Sequence, residues 1–429
     1  MAYIRKRKDS YEITVSLGRN KNGKQIRETT TFVPSSTAET KARKEAEAFA
    51  IEYENRIKNG NVIQGDKMTF VDLMQQWKQS REYKDLTERS KGEYEDNLNR
   101  RVVPEIGNTI ITKITVAYLE SIYNSMEDDG RSPATIRKLN TAVKSVMNYA
   151  FRVQLINSNP CDRVRLPKSK KSNEIRFLDL EQSKVFIDAL SREYKVTHKE
   201  HTRVLKKTGE EYVVPEYTTL ISIPYQFRVY YIIALNSGFR RGEMVALTWK
   251  DIDFENEEID VNKAATRTKG KIIVKEPKTP TSVRKIVLPS ECFDMLCELK
   301  RQQMELCDRV GSQWKGYRGK EFDKNNVFIQ TDENIGMMMY LDTPTSKFAD
   351  IINLYNNSVT DPKDKLPEIR LHDLRHTHAT ILLSRGVDIE TVAKRLGHAN
   401  ASVTLDIYGH ALKSSDNKAS NALRDLFFA

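Results

Sequence analysis

The alternation of apolar and polar residues near the start of the chain predicts a small sheet. Apolar side chains occupy every second position from Tyr11 to Leu17, and a second alternating stretch runs from Ile26 to Phe32. A period of two is typical of strands that bury one face, and the glycine-containing segment RNKNGKQ between them fits a hairpin turn. The preceding AYIRKR fits a third strand.

A helix is predicted directly after these strands. Apolar residues recur every three or four positions from Ala38 to Ile57, and Ser36 and Glu39 have capping-box spacing. Residues 1–33 contain eight Lys or Arg against three Asp or Glu, whereas residues 34–65 contain five of each. The excess charge therefore belongs to the sheet. Its exposed face either enters a DNA major groove or is simply a solvated basic face.

Helical periodicity continues from Met68 to about Val164, where we predict four or five helices. Ser132 and Pro133 have the residue types preferred at an N-cap and at the first position of a helix. The strip RVRLPKSKKSNEIR follows, with six Lys or Arg and a single acidic residue. Such a composition predicts an extended basic linker that can track a phosphate backbone.

From Phe177 onward, helices alternate with a few strands, such as IDFENEEIDV and RKIVLP, without a regular βαβ rhythm. We predict an α+β fold that is mostly helical. Two stretches look inserted: HTRVLKKTGEEYVVPEY, in the region 196–217, fits a β-hairpin arm, and GSQWKGYRGKEFDKNN occupies 311–326. The predicted boundaries are 1–65, 66–164, a linker at 165–176, and 177–429.

Composition favours an anionic partner. The 70 Lys and Arg exceed the 59 Asp and Glu by 11, with a pI near 9.2, so nucleic acid is favoured ahead of an anionic membrane. The longest apolar run, from Val229, is too short to span a bilayer, and no apolar segment follows the basic start, so we expect a cytoplasmic protein. The cysteines lack paired spacing, which predicts buried free thiols: Cys161, Cys292, Cys297 and Cys307.

The segment RLHDLRHTHATILL concentrates three of the seven histidines, His372, His376 and His378. A zinc site is disfavoured because no glutamate forms an HExxH arrangement and Arg375 would place a permanent charge beside the cation. Arginine is almost never buried without an anionic partner, so Arg375 implies something anionic. We assign His376 and His378 to structural roles.

A second candidate lies in NSGFRRGEMVALTW. Arg240 follows the turn at Gly238 and precedes an apolar run, a place where its guanidinium could face a phosphate, whereas the adjacent Arg241 fits a solvated face. The later segment RLGHANASVTLDIYGH supplies His398 and, ten residues on, Tyr408.

Together these motifs resemble the tyrosine recombinases, the phage-type integrase family. The resemblance rests on four boxes in family order, GFRRGE, HDLRH, LGH and TLDIYGH. It implies the catalytic residues Arg240, His372, Arg375, His398 and the nucleophile Tyr408. The family's lysine is assigned to Lys278 in EPKTPTSVRKIVLP, with three nearby alternatives left open: Lys275, Lys271 and Lys269.

The resemblance also implies the reaction. Two arginines would clamp the phosphodiester, Tyr408 would attack the phosphorus to form a 3′-phosphotyrosine, and Lys278 would protonate the leaving 5′ oxygen, without metal or nucleotide cofactor. By the same resemblance, His372 and His398 would donate hydrogen bonds to the phosphate, and His372 would also help to take the phenolic proton. An ordinary tyrosine titrates near ~10, and we expect the cationic pocket to favour its phenolate.

As an integrase, the protein would integrate or excise a phage or conjugative transposon. It would bind core sites through 66–164 and 177–429 and arm sites through 1–65, as a homo-tetramer that exchanges C-terminal tails, with an excisionase or DNA-bending protein as a further partner. Alternatives are a resolvase of the same family and a catalytically inactive DNA-binding regulator. Candidate DNA-binding residues are Arg5, Lys6, Arg7, Arg19, Lys21, Lys24, Arg163, Arg165, Lys168, Lys170 and Lys171.

Overall fold

Contacts divide the chain into two compact units, residues 1–172 and 173–429. The computed structural model describes residues 2–19, 23, 25–36, 38–58, 67–168, 176–205, 208–268, 270–276, 283–412, 424 and 427. The predicted class, mostly helical α+β, is confirmed. No helix in the described ranges is long and apolar enough to cross a membrane.

The first unit begins with the predicted antiparallel sheet, ordered β1-β2-β3, and one helix. Its elements are β1 (Tyr3–Lys6), β2 (Tyr11–Arg19), β3 (Gln25–Phe32) and α1 (Glu39–Lys58). Alternation places Tyr11, Ile13 and Val15 on the buried face. There Tyr11 packs with Ala42 and Ala46 of the helix. The opposite face of β2 carries the polar residues Glu12, Thr14 and Ser16.

The remainder of the first unit is helical, as predicted. Its elements are α2 (Phe70–Gln79), α3 (Arg81–Lys84), α4 (Glu88–Asn97), a π-helical turn (Leu98–Val102), α5 (Val103–Ile106), α6 (Val116–Asp128) and α7 (Pro133–Arg152). Helix α7 starts where the sequence indicates, because the Ser132 side chain accepts a hydrogen bond from the Thr135 amide and Pro133 takes the first position. Phe70, Leu73, Trp77 and the apolar stripe of α7 form one core. The predicted division of this unit near residue 65 remains a prediction.

The second unit surrounds a buried helix, α9, which is apolar on nearly every side. Its helices are α8 (Leu180–Ala189), α9 (Tyr225–Ser237), α10 (Arg241–Ala246), α11 (Ser290–Val310), α12 (Thr343–Ser358), α13 (Asp373–Ser384), α14 (Ile389–Leu396) and α15 (Ala401–Leu412). Val229, Tyr230, Tyr231 and Ile233 of α9 are all fully buried in the main core. Helix α13 packs directly against α9.

Strands lie around that helical core as short antiparallel sets. They are β4 (Glu193–His198), β5 (His201–Val204), β6 (Glu211–Val214), β7 (Tyr217–Ser222), β8 (Ile252–Asp253), β9 (Glu258–Val261), β10 (Ala264–Thr268), β11 (Lys271–Lys275) and β12 (Arg284–Val287). The strand predictions for IDFENEEIDV and RKIVLP are confirmed, since they form the sheet β12-β9-β8. The predicted β-hairpin arm is also confirmed. Strands β4 and β7 pair with each other, and the segment between them forms a second antiparallel pair, β5 with β6.

The cysteines are free thiols, as predicted, but they are not all buried. Cys161, Cys292 and Cys307 are buried and Cys297 is exposed. Helix α11 buries the face that carries Cys292, Leu296 and Cys307. Cys297 lies one residue, about 100° around the helix, beyond Leu296 and therefore turns to solvent. Its apolar neighbours in sequence wrongly suggested burial.

Candidate active site

The site begins at the end of α9, where Gly238 adopts a left-handed conformation with φ of 66°. This cap turns the chain sharply, so that Phe239 is buried and Arg240 becomes the N-cap residue of α10. A Cβ at position 238 would lie 2.8 Å from the His378 ring and 2.9 Å from Leu396. Glycine is thus required here both by the backbone and by the close approach of α13 and α14.

We expect Gly238→Ala to destabilise the protein by about 2–4 kcal/mol, the left-handed penalty added to a steric one. Urea unfolding followed by tryptophan fluorescence measures the loss. Gly386→Ala is the matched control, because Gly386 also has positive φ, 89°, but open space where its Cβ would stand. Equal losses in the two variants would show that the contact with His378 and Leu396 contributes nothing.

Arg240 is held by a carboxylate that it shares with a second arginine. Its Nη1 donates to Glu243 Oε1 at 2.9 Å, and Arg284 Nη2 donates to Glu243 Oε2, also at 2.9 Å. Glu243 and Arg284 are buried, whereas the Arg240 side chain is 40% exposed. Burial alone would raise the pKa of Glu243, but Arg284 and Arg240 outweigh it and hold the pKa below its usual range. Glu243 therefore stays ionised and fixes Arg240 at the rim of a pocket.

Arg375 lies at the base of that pocket and is 4% exposed. Its Nη1 donates to the Gly238 carbonyl and its Nη2 to the Leu396 carbonyl, each at 2.7 Å. Gly238 is the C-cap residue of α9 and Leu396 is the last residue of α14, so two helix C-termini, which carry partial negative charge, orient the guanidinium. Burial, and then the neighbouring Arg240, lower the pKa of Arg375 to about 9. It remains protonated at neutral pH.

His398 is a third hydrogen-bond partner of the Arg375 guanidinium. Its Nε2 accepts a hydrogen bond from Arg375 Nη2 at 2.9 Å, and its Nδ1 lies 2.8 Å from Thr404 Oγ1. Because an arginine can only donate, Nε2 carries no proton and Nδ1–H donates to the threonine. Burial, with Arg375 and Arg240 nearby, lowers the pKa of His398 to about 4. In the free protein this histidine orients Arg375, and Nε2 is not available as a donor to a phosphate.

The pocket is cationic. Arg240 shares the Glu243 carboxylate with Arg284. Arg375 is bonded to carbonyls and a neutral histidine, so its charge lacks a paired anion among the described contacts. A buried, unneutralised guanidinium next to a partly exposed one is a strong anion site, and the forked geometry suits the oxygens of a phosphate.

Tyr408, on α15, is 1% exposed and packs with Ala379, Leu383, Val392 and Leu396. Its phenol oxygen lies 2.7 Å from His376 Nδ1. Burial raises the pKa of Tyr408 to about 12, and Arg375 lowers it only in part. The expectation that the cationic pocket favours the phenolate is therefore wrong for the free protein, because desolvation outweighs the nearby charge.

His372 and His376 lie one turn apart at the start of α13. Their rings meet edge to face with centroids 5.2 Å apart. Partial burial, with His376 and Arg375 close by, moves the pKa of His372 below its usual range, although its remaining exposed surface lets water screen part of that effect. His378 points the other way: its Nδ1–H donates to the Leu235 carbonyl at 2.9 Å, in the structural role predicted for it.

Two of the four candidate lysines, Lys271 and Lys275, lie on β11 of the hairpin formed by β10 and β11. Its first strand is pressed against α10, since a Cβ on Gly242 would lie 2.4 Å from the Ala265 carbonyl, so the hairpin starts beside Arg240. Lys271 and Lys275, at the two ends of β11, are exposed. Lys278 and Lys269 lie outside the described residues, and the assignment of the lysine remains a prediction.

The candidate DNA-binding residues are only partly described. Arg5 lies exposed on the open face of the sheet, but strand alternation places Lys6 on the helix face, where it pairs with Glu39. Arg7 pairs with Glu12. Lys21, Lys24, Lys170, Lys171 and the side chain of Arg19 lie outside the described residues, and the remaining three are exposed: Arg163, Arg165 and Lys168.

Sequence reasoning missed several residues that shape the site. His376, assigned a structural role from the sequence, shares a helix face with His372 at i, i+4 spacing, but no sequence signal predicts its contact with Tyr408 on α15. Arg284 and Glu243 are 41 residues apart in sequence, and no local pattern connects them. Within the described residues, no group of three or more His, Cys, Asp or Glu side chains could hold a metal ion.

Comparisons with known proteins agree with this geometry. Residues 216–415 match the model of the phage integrase family, and residues 69–126 match the phage integrase N-terminal SAM-like domain. A tyrosine recombinase XerC-like protein of Caldanaerobacter subterraneus is 28% identical over 99% of this chain and 98% of its own. The ICEBs1 integrase of Bacillus subtilis is 28% identical over 79% of each chain.

Among solved structures, the Tn1549 transposon integrase in complex with transposon right end DNA aligns with a TM-score of 0.63 at 21% identity. The alignment covers 84% of this chain and all of that one. At this identity the likeness establishes a shared fold. The four boxes, the two matching domain models and a relative matched over nearly its full length lead to one conclusion: this chain belongs to the phage integrase family, the tyrosine recombinases.

Proposed function

We propose that this protein is a site-specific DNA recombinase that integrates or excises a mobile genetic element through a 3′-phosphotyrosine at Tyr408. One observation carries the proposal. Arg240 and Arg375 line one cationic pocket, in which Arg375 has no paired anion among the described contacts, beside a buried tyrosine whose hydroxyl is hydrogen-bonded to a histidine. A pocket of this kind suits an anion and a nucleophile together.

The chemistry follows from the charge that develops during attack. As the Tyr408 oxygen approaches phosphorus, negative charge grows on the two non-bridging oxygens. Arg375, pre-oriented by carbonyls, and Arg240, fixed by Glu243, bond to those oxygens without reorganising during the step. His372, exposed at the start of α13, donates a further hydrogen bond.

Cleavage also needs a proton for the leaving group. When the bond between phosphorus and O5′ breaks, the 5′ oxygen takes a proton from a general acid, for which we propose Lys278. The new phosphotyrosine is still a phosphodiester, so attack by another 5′ hydroxyl reverses the reaction at little net cost in free energy. Strand exchange then requires neither ATP nor a metal ion.

The rest of the chain would supply DNA contacts and assembly. We propose that residues 66–164 and 177–429 bind the core site, that the basic linker at 165–176 follows the backbone, and that the sheet of residues 1–65 binds separate arm sites through its open face. Arg27, exposed on that face opposite Ser16, joins Arg5 there. The working assembly would be a tetramer on DNA in the cytoplasm, with exchanged C-terminal tails and an excisionase or DNA-bending partner.

An assay for a covalent adduct tests this function. The protein is incubated with supercoiled plasmid in excess EDTA, quenched with SDS, and examined for relaxed DNA and a protein-DNA adduct. We expect both from the natural protein. Cleavage that appears only on adding Mg²⁺ would contradict the tyrosine mechanism, and specific DNA binding with no cleavage under any condition would favour an inactive regulator.

A further inference from the structure

The hydroxyl of Tyr408 is hydrogen-bonded to a histidine of α13. His376 Nδ1 lies 2.7 Å from the Tyr408 oxygen, and the centroids of the two rings are 5.5 Å apart. Within the described residues this is the one hydrogen bond of that phenol. His372, which the family resemblance favours as a proton acceptor, has a ring contact with His376 but no hydrogen bond with Tyr408 in the structure.

The direction of this hydrogen bond follows from the protonation states. Tyr408 is protonated at neutral pH because burial raises its pKa. The pKa of His376 is lowered, first by burial and then by Arg375 and Arg370, while Asp373 acts in the opposite sense. A phenol is a stronger acid than a neutral imidazole, so the O–H donates and the Nδ1 lone pair accepts. This tautomer keeps its own proton on Nε2.

The charged groups around the imidazole act in both directions. On its own helix it faces His372, Arg375 and Asp373, and Arg370 lies just before that helix; the two arginines favour the neutral ring, whereas Asp373 favours the protonated one. Tyr408 faces the ring from helix α15. His398 also lies nearby, close enough that His376 contributes to lowering the pKa of His398. Helices α13 and α15 pack through Ala379, Leu383 and Tyr408, so one apolar cluster holds donor and acceptor in register.

We propose that His376 is the general base that takes the phenolic proton of Tyr408, an inference that rests on the proposed recombinase function. In the step, the Oη–H bond breaks and its proton moves to Nδ1, the Oη electron pair forms the bond to phosphorus, and the phosphorus–O5′ bond breaks. The leaving 5′ oxygen takes a proton from the general acid. On religation, the imidazolium returns its proton to Oη, so His376 ends unchanged.

His376→Asn is the diagnostic variant. The Oδ1 atom of asparagine occupies about the place of Nδ1 and still accepts a hydrogen bond from the phenol, but it has no useful basicity. At pH 7 we expect adduct formation to slow by about 100-fold or more. Because the pKa of His376 lies below its ordinary value, the natural protein should show a rate that rises with pH only in the acidic range and is already flat at neutral pH. The variant should show a rate that rises about tenfold per pH unit from 7 to 9, because it depends on spontaneous phenolate.

The comparison is made on the DNA fragment recovered in the adduct assay, with His372→Asn as the matched control. We expect that variant to be slower but to keep the flat profile. A flat profile in His376→Asn would reduce His376 to a positioning residue, and a steep profile in His372→Asn alone would make His372 the base. Either result overturns the inference, while failure of the natural protein to form an adduct would instead overturn the proposed function.

Discussion

Tyr408→Phe should bind DNA with unchanged affinity and form no covalent adduct. The substitution removes one oxygen from a side chain that is 1% exposed and leaves the ring in its apolar cluster, so neither folding nor DNA contacts should change. Cleavage, in contrast, has no other nucleophile in this account. The expected effect is therefore complete loss of adduct and of strand exchange, measured by SDS-resistant protein-DNA species and by gel shift on the same DNA.

Tyr230→Phe serves as the control for removing a buried hydroxyl. Tyr230 is as deeply buried as Tyr408, and its hydroxyl has no hydrogen-bond partner in the described part of the structure. That variant should cleave DNA at the natural rate. If Tyr408→Phe formed a covalent adduct, or if Tyr230→Phe formed none, the nucleophile would have been assigned to the wrong residue.

Arg375→Lys should reduce the cleavage rate by about 10³-fold or more, the effect of removing a preorganised donor to a phosphoryl group. The guanidinium spans two carbonyls, of Gly238 and Leu396, and still bonds to His398. A lysine offers a single nitrogen in place of the guanidinium that bonds to these three partners, so at least one buried carbonyl loses its hydrogen bond. Single-turnover cleavage of the recovered DNA fragment measures the effect, together with thermal unfolding.

Arg395→Lys separates lost chemistry from lost stability. Arg395 also donates to two backbone carbonyls, of Val287 and Asn236, but is only half-buried and has no proposed phosphate contact. The Arg395→Lys variant should therefore lose some stability but cleave DNA at nearly the natural rate. If Arg375→Lys cleaved no more slowly than Arg395→Lys, the guanidinium of Arg375 would not be a phosphate ligand.

Much of this architecture could be predicted from sequence because its signals are local. The period of two in β2, the Ser132 cap of α7 and the glycine turn before Arg240 each depend on a few neighbouring residues. The family boxes added a second kind of information, since they named five residues that converge on one pocket: Arg240, His372, Arg375, His398 and Tyr408.

What the sequence did not reveal depends on distance in the chain or on desolvation. The pairing of Glu243 with Arg284 joins residues 41 positions apart. The protonated state of Tyr408 follows from how tightly α13, α14 and α15 enclose it, which no charge count predicts. The partner of that phenol was equally hidden, because sequence spacing places His376 beside His372 but does not say which of them meets α15.

The most direct test of the central claim is to identify the amino acid that carries the DNA. The SDS-stable adduct formed in EDTA is digested with nuclease and protease and sequenced by mass spectrometry. We expect a single modified peptide in which Tyr408 is joined through its oxygen to a nucleoside 3′-phosphate. Attachment to any other residue, or through a 5′-phosphate, would contradict this assignment.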